Sequence, residues 1–337
     1  MKIVFKSKRV VGFLVASGLA LLSCSSPVPK QEASFVIGEK VAGSVGFYTK
    51  DGKRIDGAKV GAHPHELALS RDGKMVFATD NGVLMMTQTE PGDNSVSAVD
   101  IATMTRVARI DLGQYRRPHG IEVIQDTGQV LVTTERPSAL LLIDPEKKEI
   151  VRKFNTGGKA PHIVVVYPGT RWAFVANTFS DEVAAVHLDS AEIKSIPCGS
   201  KPQGLAFSPD GKTLYVANGG GQTVAIIDTE KREKVGEIPT GDGPIRIAVT
   251  RDSKYIIYAL QNGNAVGFAD TASLKEIKQI ALTGKPVSLT LSPDGETAYS
   301  AVQDQDRVFV ISVKDMKIES QFDTPPGTGP DPVIPIW

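Results

Sequence analysis

Three Pro-His dipeptides are the feature of this sequence whose residue types and spacing could best do chemistry. Their histidines are His65, His119 and His162, separated by 54 and 43 residues. A polar residue follows each histidine 15 or 16 positions later, in the order Asp80, Glu135 and Asn177. If these side chains converge, imidazole and carboxylate groups could hold a divalent metal ion or act as general base and acid.

The histidines belong to an internal repeat, and the repeat must position them. Proline-led segments of similar pattern begin at Pro64, Pro118, Pro161, Pro202, Pro244 and Pro286, which lie 54, 43, 41, 42 and 42 residues apart. A period near 42 is typical of β-propeller blades or helical solenoids. Short apolar blocks and Asp-Gly turns, without any helical period, favour blades of four antiparallel strands. Such blades must stack around an axis to bury both faces.

The unit that starts at Pro202 shows the strand pattern most clearly. We expect strand A at 205–208, a Pro-Asp-Gly-Lys hairpin turn, strand B at 214–217, strand C at 224–228 and strand D at 234–238. Glycine at the turn supplies a positive φ at little cost.

The two ends of the chain predict how the ring closes. Residues 35–59 align with strands B, C and D but have no strand A before them, and residues 329–334 fall 44 positions after Pro286, in register with the repeat. We therefore predict an all-β, seven-bladed propeller over 35–337, with one blade shared by both termini. Pro332 and Pro335 require its last strand to be a sheet edge, as the inner strand of a blade is.

The repeat resembles a known family. The segments Ser208-Pro209-Asp210-Gly211-Lys212 and Leu214-Tyr215-Val216-Ala217-Asn218 are similar to the YVTN repeat of bacterial seven-bladed propellers, YncE-like and lactonase-like, and the match recurs over nearly all of the chain after residue 34. The resemblance implies the propeller fold strongly and function only weakly, because such propellers include lactonases, ligand binders and domains of redox enzymes.

In a propeller, the start of strand A and the end of strand B meet at one mouth of the central channel. The polar residues at these positions are the candidate ligand-binding or metal-binding residues: His65, His119, His162, Asp80, Glu135, Asn177 and Asn218. Resemblance to metal-dependent lactonases implies that a divalent ion here would polarise a lactone carbonyl or activate water. Alternatively, the histidines bond to neighbouring carbonyls and the strand-end Asn or Asp ties a turn. No His-x-x-x-His spacing supports the metal site.

Residues 81–94 (NGVLMMTQTEPGDN) lengthen one loop between strands B and C. We expect this insertion to fold over the mouth, where Met85 and Met86 could contact an apolar ligand or, with the histidines, copper; alternatively, the loop packs on its own blade. Arg116 and Arg117 lie on the same rim and could clamp a carboxylate or phosphate, or form a solvated edge. Cys198 aligns with threonines of other units, so we interpret it as a small structural residue.

The first residues are typical of a bacterial lipoprotein signal. Lys2, Lys6, Lys8 and Arg9 precede a 13-residue apolar stretch that ends in Leu21-Leu22-Ser23-Cys24, which resembles a lipobox. We predict removal of 1–23, lipidation of Cys24 and a tether over 24–34; an ordinary secretory peptide is the alternative. All 38 acidic residues but only 34 basic ones lie beyond residue 24, so a net charge of about −4 argues against nucleic-acid binding.

The sequence is compatible with two functions. One is a lipid-anchored scaffold on the periplasmic side of the bacterial envelope, in the outer membrane if sorting allows, which binds a small molecule or an envelope protein at its mouth. The other is a metal-assisted hydrolase of the lactonase kind that uses the His and carboxylate cluster there. The sequence contains no G-x-S-x-G, phosphate loop or haem-attachment motif.

Overall fold

The computed structural model describes residue 1 and residues 32–336. The predicted signal segment, lipidation site Cys24 and most of the tether lie outside the described residues. Within the described part of the chain, no helix has the length and apolar character needed to cross a bilayer.

Residues 32–336 form seven four-stranded antiparallel sheets, as the repeat predicts. The strands of each blade are given from the inner to the outer one: blade I (β28, Pro330–Pro335; β1, Phe35–Glu39; β2, Ser44–Tyr48; β3, Arg54–Lys59) and blade II (β4, Pro64–Leu69; β5, Met75–Asp80; β6, Ser95–Asp100; β7, Thr105–Asp111). The next three are blade III (β8, Arg116–Val123; β9, Val130–Arg136; β10, Ser138–Asp144; β11, Glu149–Phe154), blade IV (β12, Pro161–Val166; β13, Trp172–Asn177; β14, Glu182–His187; β15, Ile193–Pro197) and blade V (β16, Pro202–Phe207; β17, Thr213–Asn218; β18, Thr223–Asp228; β19, Glu233–Pro239). The last two are blade VI (β20, Pro244–Val249; β21, Tyr255–Leu260; β22, Ala265–Asp270; β23, Lys275–Ala281) and blade VII (β24, Thr290–Leu291; β25, Thr297–Val302; β26, Arg307–Ser312; β27, Lys317–Asp323). Two 3-10 turns cover Thr178–Ser180 and Gln303–Gln305.

The predicted ring closure is confirmed. Strand β28, from the C-terminal end, pairs with β1 as the inner strand of blade I, with Val333 opposite Ile37 and Ile334 opposite Val36. Pro332 and Pro335 are tolerated because β28 is the free inner edge of that sheet. Opening the ring would therefore break one complete sheet.

The hairpin turn between the first two strands carries a recurring side-chain clasp. In blade V, the Ser208 hydroxyl donates to the Asp210 carboxylate (2.6 Å), which also accepts from the Lys212 backbone N–H (3.1 Å). Gly211 supplies the positive φ, +71°. Blades II, VI and VII repeat the hydroxyl-to-aspartate bond in their own turns. The clasp explains why the Asp-Gly turns are such a regular signal in the sequence.

The hydrophobic core lies between neighbouring blades rather than in one central mass. Phe268 of blade VI, for example, packs in one buried cluster with Phe309 of blade VII. On the outer strands, a β-bulge interrupts the ladder in six of the seven described blades. Such bulges protect exposed sheet edges from pairing with other chains.

A second set of bulges positions the channel residues. In blades II to VI, the ladder between the first two strands shifts register just after the leading proline. A bulge bends the strand and re-aims side chains. The residues one and two positions after each proline are therefore displaced from the regular alternation at the start of each inner strand.

Candidate functional site

The three histidines of the Pro-His dipeptides come together in the structure. The His119 Nε2 atom lies 2.9 Å from His65 Nδ1, and the His119 and His162 ring centroids are 3.9 Å apart. Gly120 makes this approach possible, because a Cβ there would lie 2.2 Å from the His162 carbonyl oxygen. All three side chains are buried, with 2–3% of each residue exposed.

The hydrogen bonds define which nitrogens carry protons. His65 Nε2 donates to the Val83 carbonyl (2.8 Å), which can only accept. In a neutral His65 the Nδ1 atom is then an acceptor, and it receives the N–H of His119 Nε2. The Nδ1 atoms of His119 and His162 are buried without a hydrogen-bond partner in residues 32–336. The cluster therefore presents two unused acceptor nitrogens.

The surroundings keep these histidines uncharged. Burial is the main cause that lowers the pKa of His65, His119 and His162 well below the usual 6.5. The positive charge of Lys40 lowers all three further. For His162, a hydrogen bond to the Gln203 backbone opposes these effects. At neutral pH the cluster is a packed set of neutral imidazoles.

A buried ion pair completes the mouth. Lys40 Nζ lies 3.0 Å from Asp331 Oδ2, and both side chains are almost fully buried. Asp331 directly follows the proline that opens β28, so it occupies the position that the histidines hold in blades II to IV. The pair also ties the N-terminal part of the chain to its C-terminal strand at the mouth. The sequence analysis gave Lys40 no role.

The other strand-end residues of the candidate set bond to their own blade or to the linker that leads into it. Asp80 accepts from the hydroxyls of Ser95 (2.6 Å) and Ser97 (2.8 Å), and Asn177 and Asn218 donate to the carbonyls of Thr156 (2.9 Å) and Cys198 (3.0 Å). Burial raises the pKa of Asp80, and these hydrogen bonds oppose the rise. The structure therefore does not bring Asp80, Asn177 or Asn218 into hydrogen-bonding contact with the histidines.

Arg117 holds the predicted insertion in place. Its buried guanidinium donates to the carbonyls of Glu90 (3.0 Å), Met86 (3.3 Å) and Gln88, and it forms an ion pair with Glu135 (3.0 Å). Glu135 is thus engaged with Arg117, whose charge and hydrogen bond oppose the burial that raises the pKa of this carboxyl.

Two further contacts fix the same segment. Arg116 donates to the Gly92 carbonyl (3.0 Å) and Arg136 to the Thr89 carbonyl (2.9 Å). Since the Val83 carbonyl bonds His65, the insertion lies over the histidine cluster. Met86 is half-buried, whereas Met85 is exposed by 58%. The insertion is therefore a fixed surface, and Met85 is its one exposed large hydrophobic side chain.

The donor set does not fit a divalent-metal site. Both nitrogens of His65 are engaged, Asp80 accepts hydrogen bonds from Gly61, Ser95 and Ser97, and Glu135 is paired with Arg117. Among residues 32–336, no group of three or more His, Cys, Asp or Glu side chains is arranged to hold a metal ion. The histidine cluster offers two nitrogen donors where a protein metal site needs three or four.

Deeper in the channel, the structure reveals charged residues that the sequence analysis missed. Arg246 Nη2 of β20 lies 2.5 Å from Glu66 Oε1 of β4, so an ion pair crosses the channel between blades VI and II. Glu122 of β8 faces the same cavity. In the sequence, these three residues are recognisable as charged residues two or four positions after a blade proline. Most other repeat units have glycine or an aliphatic residue at these positions.

Cys198 has the structural role that its alignment with threonine indicates. The residue is 1% exposed and packs in a hydrophobic cluster with Phe174 and Leu205. Burial raises the pKa of its thiol to about 12. A thiol with such a pKa is a poor nucleophile at neutral pH.

Comparisons with known proteins agree with this architecture. A family model described as "YNCE-like beta-propeller" matches residues 165–333. A search of curated proteins gave no significant match.

Among solved structures, this chain is similar to a functionally unknown protein from Desulfotomaculum acetoxidans, with TM-score 0.75, 14% identity and coverage of 90% of this chain and 99% of that one. Kuenenia stuttgartiensis hydrazine synthase has TM-score 0.70, 20% identity and coverage of 87% and 99%. Dihydro-heme d1 dehydrogenase NirN in complex with DHE has TM-score 0.64 and 18% identity; the match covers 88% of this chain and 64% of that one. At these identities the likeness shows the fold alone.

Proposed function

This chain belongs to the YNCE-like beta-propeller family, and we propose that it is a non-catalytic binding protein of the bacterial envelope. In this proposal it is exported, anchored through a lipid on Cys24, and recognises an envelope protein with the mouth face of the ring. The insertion 81–94 forms the contact surface. The histidines support that surface from below, since they are too buried to meet a partner.

The observation that carries the proposal is the clamp of Arg117 on the insertion. A buried guanidinium that serves three carbonyls of one loop fixes the loop in a single conformation. A loop fixed before binding loses little conformational entropy when a partner docks, which favours affinity. Met85, exposed on such a loop, is the kind of flexible apolar side chain that interfaces use.

A crosslinking experiment tests the recognition surface. A photoreactive amino acid replaces Met85 in the full-length chain expressed in its host, and the control carries it at Lys212, an exposed turn residue at the opposite end of the strands. We expect one discrete adduct from position 85, none from position 212, and loss of the adduct when Arg117→Met releases the loop. Equal adducts from both positions, or none from either, would overturn the assignment of this face.

The anchor is tested separately. Incorporation of labelled palmitate into the full-length chain should be abolished by Cys24→Ala, and the variant should be released from the membrane fraction. Retention of the label in Cys24→Ala would exclude lipidation at this cysteine.

A metal-assisted hydrolase is the second candidate; the unpartnered Nδ1 atoms of His119 and His162 are two available nitrogen donors, and a metal ion there would need further ligands from outside the cluster. Elemental analysis of protein purified without an affinity metal, together with a lactone hydrolysis assay, distinguishes the two. One bound divalent ion per chain and turnover that His119→Ala abolishes would establish the hydrolase. Metal-free, inactive protein would favour the binding function.

A further inference from the structure

The central channel contains a cavity of 180 Å³ below the histidine cluster. Apolar side chains, among them Ile163, Val165 and Ile247, form much of its wall, and the ionisable groups that line it are Glu66, Glu122 and Arg246. An apolar cavity of about 150 Å³ can accommodate benzene, so this one has room for about six non-hydrogen atoms. Cavities with apolar walls and a few fixed polar groups are typical small-molecule sites.

The cavity is more accessible from the end opposite the mouth. Of the seven residues that directly follow the blade prolines, five are buried. All seven residues four positions after those prolines are half-buried. These seven residues lie towards the hairpin-turn end of the inner strands. Among them Glu122 is the ionisable one, Thr290 is polar, and the other five are aliphatic. A ligand that enters there meets Glu122 first.

Glu122 is the unpaired charge of the cavity. The ion pair between Arg246 and Glu66 satisfies both partners across the channel. The Glu122 carboxyl, by contrast, has no hydrogen bond or ion pair within residues 32–336. Glu122 is half-buried because one side of it lines the cavity and protein atoms surround the rest. A carboxyl group in such a place lacks a donor or a cation.

We propose that the channel is a binding site for a small primary ammonium ion with a short aliphatic chain, whose cationic head pairs with Glu122 and whose chain lies against Ile163, Val165 and Ile247. The site is distinct from the mouth surface and does not depend on the proposed envelope partner. An anion is disfavoured because the guanidinium of Arg246 is already neutralised by Glu66 at 2.5 Å.

The electrostatics of the cavity support a cation. Burial raises the pKa of Glu122 to about 8. Around it, Glu66 and Arg246 face the cavity from β4 and β20, His162 lies at the mouth end of β12, and Lys40 and Asp331 lie at the mouth. An ammonium ion beside Glu122 favours the ionised form. Binding should therefore release a proton at neutral pH and strengthen about tenfold per pH unit as pH rises towards 8.

The test uses n-pentylammonium as the probe, in calorimetric titrations of the folded chain at pH 6.5, 7.5 and 8.5. We expect saturable binding with a Kd of about 1 mM or below at pH 8.5, and weaker binding by at least tenfold at pH 6.5. Glu122→Gln, which keeps the shape of the side chain, should weaken binding at least tenfold at pH 8.5. Glu149→Gln, an exposed position of the same blade, should bind as the wild type does.

Two further comparisons make the outcome decisive. Val165→Phe should block binding by filling the cavity, and 1-pentanol or pentanoate should bind at least tenfold more weakly than the ammonium ion. Absence of saturable binding to the folded wild-type chain at pH 8.5 would overturn the proposal. Equal binding by Glu122→Gln, or by 1-pentanol, would do so as well.

Discussion

Glu66 and Arg246 are 180 positions apart in the chain, yet their side chains meet at 2.5 Å and join two inner strands on opposite sides of the channel. Each is only 12–13% exposed, so neither charge is well solvated without the other. Burial raises the pKa of Glu66, and the charge of Arg246 is the main influence that opposes the rise. The pair thus connects blade II to blade VI across the axis of the ring.

Removing one partner should therefore destabilise the protein in a pH-dependent way. Arg246→Met leaves Glu66 unpaired and should lower the free energy of unfolding by about 3 kcal/mol at pH 8. The loss should be smaller at pH 5. Without Arg246 the folded-state pKa of Glu66 rises further above its unfolded value, so the penalty grows as pH increases between them. Urea unfolding at both pH values measures this, and Glu66→Gln/Arg246→Met should recover part of the loss. A loss independent of pH would contradict the pairing.

Glu122 should behave as a residue that costs stability at neutral pH. Its pKa is raised to about 8 in the folded chain, and an unfolded glutamate ionises near 4.5. The unfolded state therefore loses its proton first as pH rises, and stability falls across this window. Glu122→Gln should raise the free energy of unfolding by on the order of 2 kcal/mol at pH 8, and by little at pH 4. Denaturant titrations compare it with Glu149→Gln, which should match the wild type. Destabilisation by Glu122→Gln at pH 8 would contradict this.

The histidine cluster predicts the opposite pH dependence. The folded-state pKa of His119 lies well below 6.5 because of burial, so the unfolded chain takes up the proton first as pH falls, and stability is lost below pH 6.5. His119→Gln, which keeps a donor for His65, should lose about 2 kcal/mol less than the wild type between pH 6.5 and 5. Unfolding curves across this range are the measurement. Parallel curves for the two chains would show that His119 is not buried as a neutral group.

The sequence predicts the ring well because each blade obeys local rules. A period near 42, alternating apolar residues and clasped turns such as Ser208-Pro209-Asp210 specify the strands, and the register of residues 329–334 specifies the closure. The same period placed His65, His119 and His162 on neighbouring blades, and the structure brings them together.

The details of the channel could not be predicted in the same way. A polar residue at the end of a strand can face the channel or its own blade, and Asp80 bonds to Ser95 and Ser97 of its own blade. The contact between Glu66 and Arg246 depends on the number of blades and on the bulge after each proline, which no local pattern of residues reveals.

Ring closure is testable through Val333, which is fully buried against Phe35 and Tyr299. Val333→Asp places a carboxylate in this cluster and should lower the free energy of unfolding by about 4 kcal/mol or more, or abolish cooperative unfolding. Thermal unfolding monitors the effect. Ile277→Asp, on an exposed position of an outer strand, should change stability by less than about 0.5 kcal/mol. Comparable effects of both substitutions would mean that β28 does not close the ring.

Loss of the Arg117 clamp should make the insertion accessible to protease. Arg117→Met removes the donors that hold the carbonyls of Met86, Gln88 and Glu90 and leaves Glu135 unpaired. Chymotrypsin should then cleave the chain near Leu84 to Met86 at least tenfold faster, because the loop opens without global unfolding. Arg117→Met/Glu135→Gln should show the same rate, since loss of the clamp rather than the unpaired carboxylate releases the loop.

Arg106→Met, on an exposed site of β7, should be cleaved as slowly as the wild type. If Arg117→Met is also cleaved at the wild-type rate, the bonds from its guanidinium do not hold the insertion. The insertion would then not be a fixed surface. It would lose conformational entropy when a partner binds, which removes the argument for it as a preorganised binding surface.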